Sequence, residues 1–232
     1  MATITNQFSC ATLAPGLTAG DCNYMAAIGM LAQGANLMSE NITADNTNAD
    51  IWIGLDGPNT FTFVNGATVP IILIIWYRAL GDDQASFMNA RPPRISYSLP
   101  TRGSAVEISL ANDVPGAWSA LYDHTTPLTT YGQIDNTIGE FSTGEFATVD
   151  VSRLVNMSGN PMTVRVSSGC VADMDRCVYA CDTGTTSCGG PGTYNLLGCG
   201  GKNAVQSVDK DGNPSGGCQG WSNGGHVDVI MT

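Results

Sequence analysis

Six of the eight cysteines (Cys170, Cys177, Cys181, Cys188, Cys199 and Cys218) are crowded into the last third of this 232-residue chain. The other two, Cys10 and Cys22, lie near the start, and none falls between the groups. An even set of cysteines in a Gly-rich setting poor in Lys and Arg reads as a disulfide framework. Such bonds persist in oxidising surroundings, so the chain is expected to be secreted, extracellular or in a cell wall. A tie between Cys10 and Cys22 is plausible, and spacing chooses no pairing for the rest. Zinc fits less well: there is no paired C-x2-C, and His226 stands alone nearby. Neither a metal nor a cofactor is expected.

The composition agrees with that setting. Hydrophobic residues make up 43% of the chain, enough for a real core, while charged residues are only 12%, about half the usual share. Twenty acids against nine bases leave a net charge of −11. That argues against nucleic acid and anionic membrane as partners, since both need basic patches. The start, Met1-Ala2-Thr3-Ile4-Thr5, has neither the basic nor the apolar region of a signal peptide; it reads as a mature chain with an added initiator Met. The longest apolar run, Ile71 to Tyr77, is too short to span a bilayer and reads as a buried strand. Asn41 and Asn156 head N-x-Ser/Thr sequons and are candidate glycosylation sites.

The pattern predicts a mainly β protein. Met25, Ile28, Leu31, Ala35 and Met38 recur at helical spacing and predict one helix over residues 24–39. From residue 51 onward, strands are expected at Ile51–Ile53, Thr60–Val64, Val69–Tyr77, Arg94–Leu99, Ala105–Leu110, Trp118–Tyr122, Gly144–Val151 and Met162–Val166. Asn65-Gly66 is a hairpin signal. Short strands at this spacing suggest a sandwich of about ten strands. The division expected is a β-sandwich core over 1–169 with the N-terminal helical insertion, a disulfide-rich loop module over 170–220 that cannot bury enough surface by itself, and a last strand in 221–232 returning to the sandwich.

Several constellations carry candidate chemistry. Asp123, His124 and Ser119 have the residue types of a hydrolase triad, but no serine sits in a G-x-S-x-G elbow. Asp209-Lys210-Asp211-Gly212-Asn213 opens like a calcium loop, yet lacks the closing Glu and is expected to be a tight turn. Glu140, Glu145 and Asp150 are the best candidates, because glycoside hydrolysis uses one protonated and one charged carboxyl, and neighbouring acids can split their pKa values to supply them. Trp118, Tyr122 and Tyr131 are the aromatics whose faces are suited to stack on sugar rings; the alternative for Trp118 is core packing.

Glu140-Phe141, then Asp150-Val151-Ser152, Val155-Asn156, Pro161-Met162 and Cys170 follow one another in an order that resembles the thaumatin-like proteins and the related laminaripentaose-producing β-1,3-glucanases. Ala2-Thr3-Ile4-Thr5-Asn6 and Val227-Asp228-Val229 are similar to that superfamily's termini. The match covers about 40 residues well, and it points to a divergent, secreted member of fungal type. It implies an acidic cleft carrying Glu140 and Asp150, and β-1,3-glucan as ligand; Glu145, Trp118, Tyr122 and Tyr131 are further candidate sugar contacts from the residues themselves. If hydrolysis occurs, Glu140 is implied as acid and Asp150 as base or stabiliser. The family's next acid falls at Asn156, the usual Thr-Gly-Asp-Cys is absent from its place, and Ala19-Gly20-Asp21-Cys22 comes too early. Loss of that acid favours binding with weak or no hydrolysis. The alternatives are an active endo-β-1,3-glucanase and a non-catalytic effector contacting a host protein; a monomer is expected in each case.

Overall fold

The computed structural model describes residues 10–11, 13–30, 50–77, 87–89 and 91–232. These residues form two sheets and one helix, a mainly β, sandwich-like architecture. The six-stranded sheet runs in the order β1 (Ile51–Ile53), β5 (Ala105–Leu110), β2 (Asn59–Asn65), β15 (Gly225–Met231), β9 (Met162–Val166) and β10 (Val171–Ala172). The larger sheet runs β12 (Tyr194–Leu197), β11 (Val178–Cys181), β8 (Thr148–Ser152), β7 (Ile138–Ser142), β6 (Pro115–Tyr122), β3 (Ile71–Tyr77) and β4 (Ile95–Leu99). A hairpin of β13 (Ala204–Val208) and β14 (Pro214–Cys218) joins it where Cys218 meets Val149 of β8.

Two kinds of strand pattern follow from this layering. Strand β2 alternates, sending Phe61 and Phe63 into the space between the sheets while Thr60 and Thr62 face outward, as a sheet with one wet face requires. The run in β3 is apolar throughout because both of its faces are covered. Ile71, Leu73 and Ile75 join the core between the sheets; Ile72, Ile74 and Trp76 join a second core on the outer face of the large sheet.

That second core is capped by the helix α1, Ala19–Ala27, which buries Cys22 and Met25. Thr18 caps it by accepting a hydrogen bond from the Asp21 N–H, and Gly29 follows its end in the left-handed region at φ 77°. Helix 24–39 was the sequence expectation; the helix begins earlier and stops at Ala27, because a good N-cap precedes the apolar periodicity and a glycine interrupts it. Residues 31–39 lie outside the described residues.

Asn65-Gly66 does not make a hairpin. β2 pairs with β5 and β15, whereas β3 pairs with β4 and β6, so this turn carries the chain from one sheet to the other. The buried Asn65 side chain fixes the crossing: its amide donates to the carbonyls of Val69 and Leu99, and its oxygen accepts from the Ala67 N–H.

The expected return strand is present as β15, which enters the middle of the six-stranded sheet, parallel to β2 and antiparallel to β9. Strand β7 (Ile138–Ser142) is not among the expected strands; Gly139, its second residue, hides it. A Cβ there would lie 2.0 Å from the Trp118 ring, so glycine is what lets the indole lie flat against β7. Trp118 is fully buried with Phe61, Phe63 and Phe141 at ring-centroid distances of 5.8, 5.4 and 6.1 Å. Tyr122 is buried in the same inter-sheet core.

All eight cysteines are paired: Cys10–Cys22, Cys170–Cys218, Cys177–Cys199 and Cys181–Cys188. The Cys-rich segment also contributes β10 to β14, and β11 continues the large sheet parallel to β8, Val178 opposite Val151. Sulfurs of Cys170, Cys177 and Cys218 lie within 4.8 Å of one another, so two disulfides pack together inside the inter-sheet core.

Candidate functional site

Strands β7 and β8 are antiparallel, and their register sets Glu140 directly opposite Asp150. Their neighbours Phe141, Val149 and Val151 point into the core. Alternation therefore sends both carboxyls, with Ser152, to the outer face of the large sheet. Directly opposed side chains start about 4.5–5.5 Å apart at Cβ, so the two acids are immediate neighbours.

The Cys-rich segment builds walls around this pair. A cavity of about 390 Å³ is lined by Glu140, Leu154, Tyr179, Tyr194 and the hairpin residues Asp209, Asn213 and Pro214. A second, about 320 Å³, adds Asp150, Phe146, Thr148, Gly216 and Gln219. The two share Phe87, Glu140, Tyr179 and Ser215, so they adjoin. A third, about 520 Å³, shares Met88, Leu154 and Gly189 with the first and leads to Tyr131. The three make one groove across the outer face of the large sheet, with the carboxyl pair in its floor.

Burial dominates the electrostatics. It pushes the Glu140 carboxyl up to about 7, with a smaller opposing pull from the Ser152 hydroxyl. Asp150 is raised well above the usual carboxylate range, first by burial and then by the charge of Glu140. Both shifts favour the protonated forms of this neighbouring pair. Asp150 Oδ1 is buried without a hydrogen-bond partner. Burial also raises the Tyr179 hydroxyl, and the charges of Asp150 and Glu140 act in the same sense. Asp209, on the hairpin wall, goes the other way: the Asn213 N–H and side chain, then the Asp211 N–H, hold its carboxylate below its ordinary value.

Glu140 and Asp150 are thus brought together, but they project side by side from one sheet face. Hydrolysing carboxyls stand about 5–5.5 Å apart in retaining and 6.5–9.5 Å apart in inverting enzymes; directly opposed residues on adjacent strands fall nearer the first spacing. Asp209 is occupied by its own turn, the tight turn expected for residues 209–213, with Gly212 at φ 84°.

The other candidates are scattered. Glu145 is exposed in the turn between β7 and β8. Trp118 and Tyr122 are core residues with no face left for a ligand. Tyr131 is 87% exposed at the far end of the groove. Asn156 turns away from the carboxyl pair: its amide donates to the Asp135 carbonyl and its oxygen accepts from the Ser158 N–H. Asn41 lies outside the described residues. His124 Nε2 is 2.5 Å from Asp21 Oδ1, and its ring stacks on Tyr24. Ser119 instead donates to the Thr137 carbonyl, fully buried. The Ser98 hydroxyl donates to the other Asp21 oxygen, so in this cluster the carboxylate stands between serine and histidine, and His124 does not face Ser119 or Ser98 as a base.

Tyr179, Tyr194, Phe87 and Phe146 are groove residues that sequence reasoning missed. Phe146, 80% exposed beside Glu145, is the one with a signal, an aromatic amid Gly, Thr and acid residues. No protein-family model and no curated protein matches this chain.

Proposed function

We propose that the chain is a secreted protein that binds cell-wall polysaccharide along this groove, with hydrolysis weak or absent. The observation that carries the reading is the Glu140–Asp150 pair, half-buried and buried, in the floor of a groove whose walls present Tyr179 and Tyr194. Sugar rings offer hydroxyls to such carboxyls and an apolar face to aromatic rings. The length of the groove, from Tyr131 to Phe146, suits several units of a chain rather than one small molecule. Four disulfides fit work outside the cell. β-1,3-Glucan is the polymer that the thaumatin-like resemblance favours, and Asn156, where that resemblance puts a further acid, favours holding over cutting.

Pull-down on insoluble β-1,3-glucan, chitin and cellulose, with reducing sugar assayed in the same tubes, tests the reading. Binding without sugar release, weakened by Glu140→Gln, is the expected result. Release that vanishes in Glu140→Gln would replace it with an endo-β-1,3-glucanase. No binding to any polymer would sink both and leave a host-protein contact as the leading idea.

A further inference from the structure

We infer that the groove contains a subsite for a protonated amino group, formed by Asp150 and Glu140, so that its preferred occupant is a glucosamine-rich polysaccharide rather than a neutral one. This rests on the polysaccharide reading and narrows it to a substrate class.

Three observations converge on a cation. Asp150 is more than nine-tenths buried, yet Oδ1 lacks any partner while the side chain lines the cavity. A buried acceptor left unsatisfied is expensive, and an incoming donor removes that penalty. Glu140 stands directly opposite and doubles the acceptor set. Next, among the described residues no Lys, Arg or His lines any of the three cavities, although Asp209 adds a further carboxylate. An incoming ammonium therefore meets no like charge in the groove, and the chain as a whole carries a net charge of −11. Finally, Tyr179 and Tyr194 meet edge to face at 6.1 Å, and aromatic rings attract an ammonium as well as a sugar face.

A bare divalent ion fits worse. Calcium takes six to eight oxygens, whereas two carboxyls and the Ser152 hydroxyl are what the sheet offers here. An ammonium needs only a few acceptors and arrives attached to the sugar that fills the rest of the groove. The titratable groups facing this point are Glu140, Asp150, Tyr179, Tyr194 and Asp209. Because the carboxyl pair is held protonated near neutrality, chiefly by burial, a bound ammonium takes the place of its proton, which leaves to solvent. The exchange breaks no covalent bond other than that O–H, and the amine keeps its charge.

Titration calorimetry at pH 6, with hexamers of glucosamine, of N-acetylglucosamine and of β-1,3-linked glucose, tests this on the intact protein. The glucosamine hexamer is expected to bind at least tenfold more tightly than either neutral one, with proton release seen as heat that depends on the buffer. Asp150→Asn is expected to abolish the preference, so that the glucosamine hexamer binds no more tightly than the two neutral hexamers do to the same variant. Equal binding of all three hexamers would overturn the inference and leave the polysaccharide reading standing. Preference that survives in Asp150→Asn would overturn it too, assigning the effect to overall negative charge. Binding of no hexamer would overturn both. A Lys-rich peptide that binds as tightly as the glucosamine hexamer, with the same dependence on Asp150, would refute the sugar as occupant. The comparison of acetylated with free hexamer needs no variant, so it decides the matter even if Asp150→Asn folds poorly.

Discussion

Replacing Glu140 by Gln is expected to raise the melting temperature at pH 8 and to leave it unchanged at pH 4. In the folded chain the carboxyl is held at about 7 against an ordinary 4.5, chiefly by burial. Between those two values the folded protein keeps a proton that the unfolded chain has lost, so stability falls as pH rises through this window and levels off above it. At 1.36 kcal/mol per pH unit the full effect is about 3 kcal/mol. Part of the side chain opens to the groove, and water there reduces the penalty to on the order of 2 kcal/mol. For a domain of this size that is roughly 4–8 °C in Tm. Asp150, raised by burial and by the Glu140 charge, pushes the same way, and removing Glu140 relieves it as well. Thermal unfolding of both proteins followed by circular dichroism from pH 4 to pH 8 measures the difference. Curves that fall in parallel across the range, or a Gln variant less stable at pH 8, would refute the argument that this pair is buried at the expense of its ionisation.

Other consequences are open to simpler measurements. Removing Cys170–Cys218, which closes a loop of 48 residues, is expected to lower unfolding free energy by about 4 kcal/mol in urea, against about 2 kcal/mol for Cys181–Cys188; the reverse order would count against loop closure as the source. Asn65→Ala strips both amide bonds from the sheet-crossing turn and is expected to cost about 2–4 kcal/mol, read from the urea midpoint. Trp118→Ala should destabilise by about 3–5 kcal/mol. Tyr131→Ala should leave unfolding unchanged and weaken glycan binding, a contrast that fluorescence melts and pull-downs on one set of samples resolve.

Much of the sandwich is legible in the chain because period-2 alternation is a local signal. Ala105–Leu110 and Met162–Val166 carry it without interruption, and their strands have those bounds. The signal fails where a residue's reason lies across space. Asn65-Gly66 has the composition of a hairpin turn, but which strands it joins depends on β5 and β15, far away in sequence. Gly139 weakens the look of a strand because the Trp118 ring occupies the place its side chain would take. Glu140 and Asp150 are recognisable as candidate acids, but their direct opposition is not, because it depends on the pairing of β7 with β8. Nor are their walls: Tyr179 and Tyr194 reach the groove only because β11 extends the large sheet alongside β8 and disulfides hold the segment there.

The placing of β15 bears on how this protein is made. Its pairing with β2 joins residues as far apart as Thr60 and His226, 166 positions along the chain. Until those residues emerge during synthesis, β2 and β9 are strands with a vacant edge each, and the phenylalanines of β2 have only part of their covering. Bare edges of this kind pair with other chains. Chains interrupted before residue 225 are therefore expected to be aggregation-prone, because one late event, the arrival of one strand, closes the six-stranded sheet.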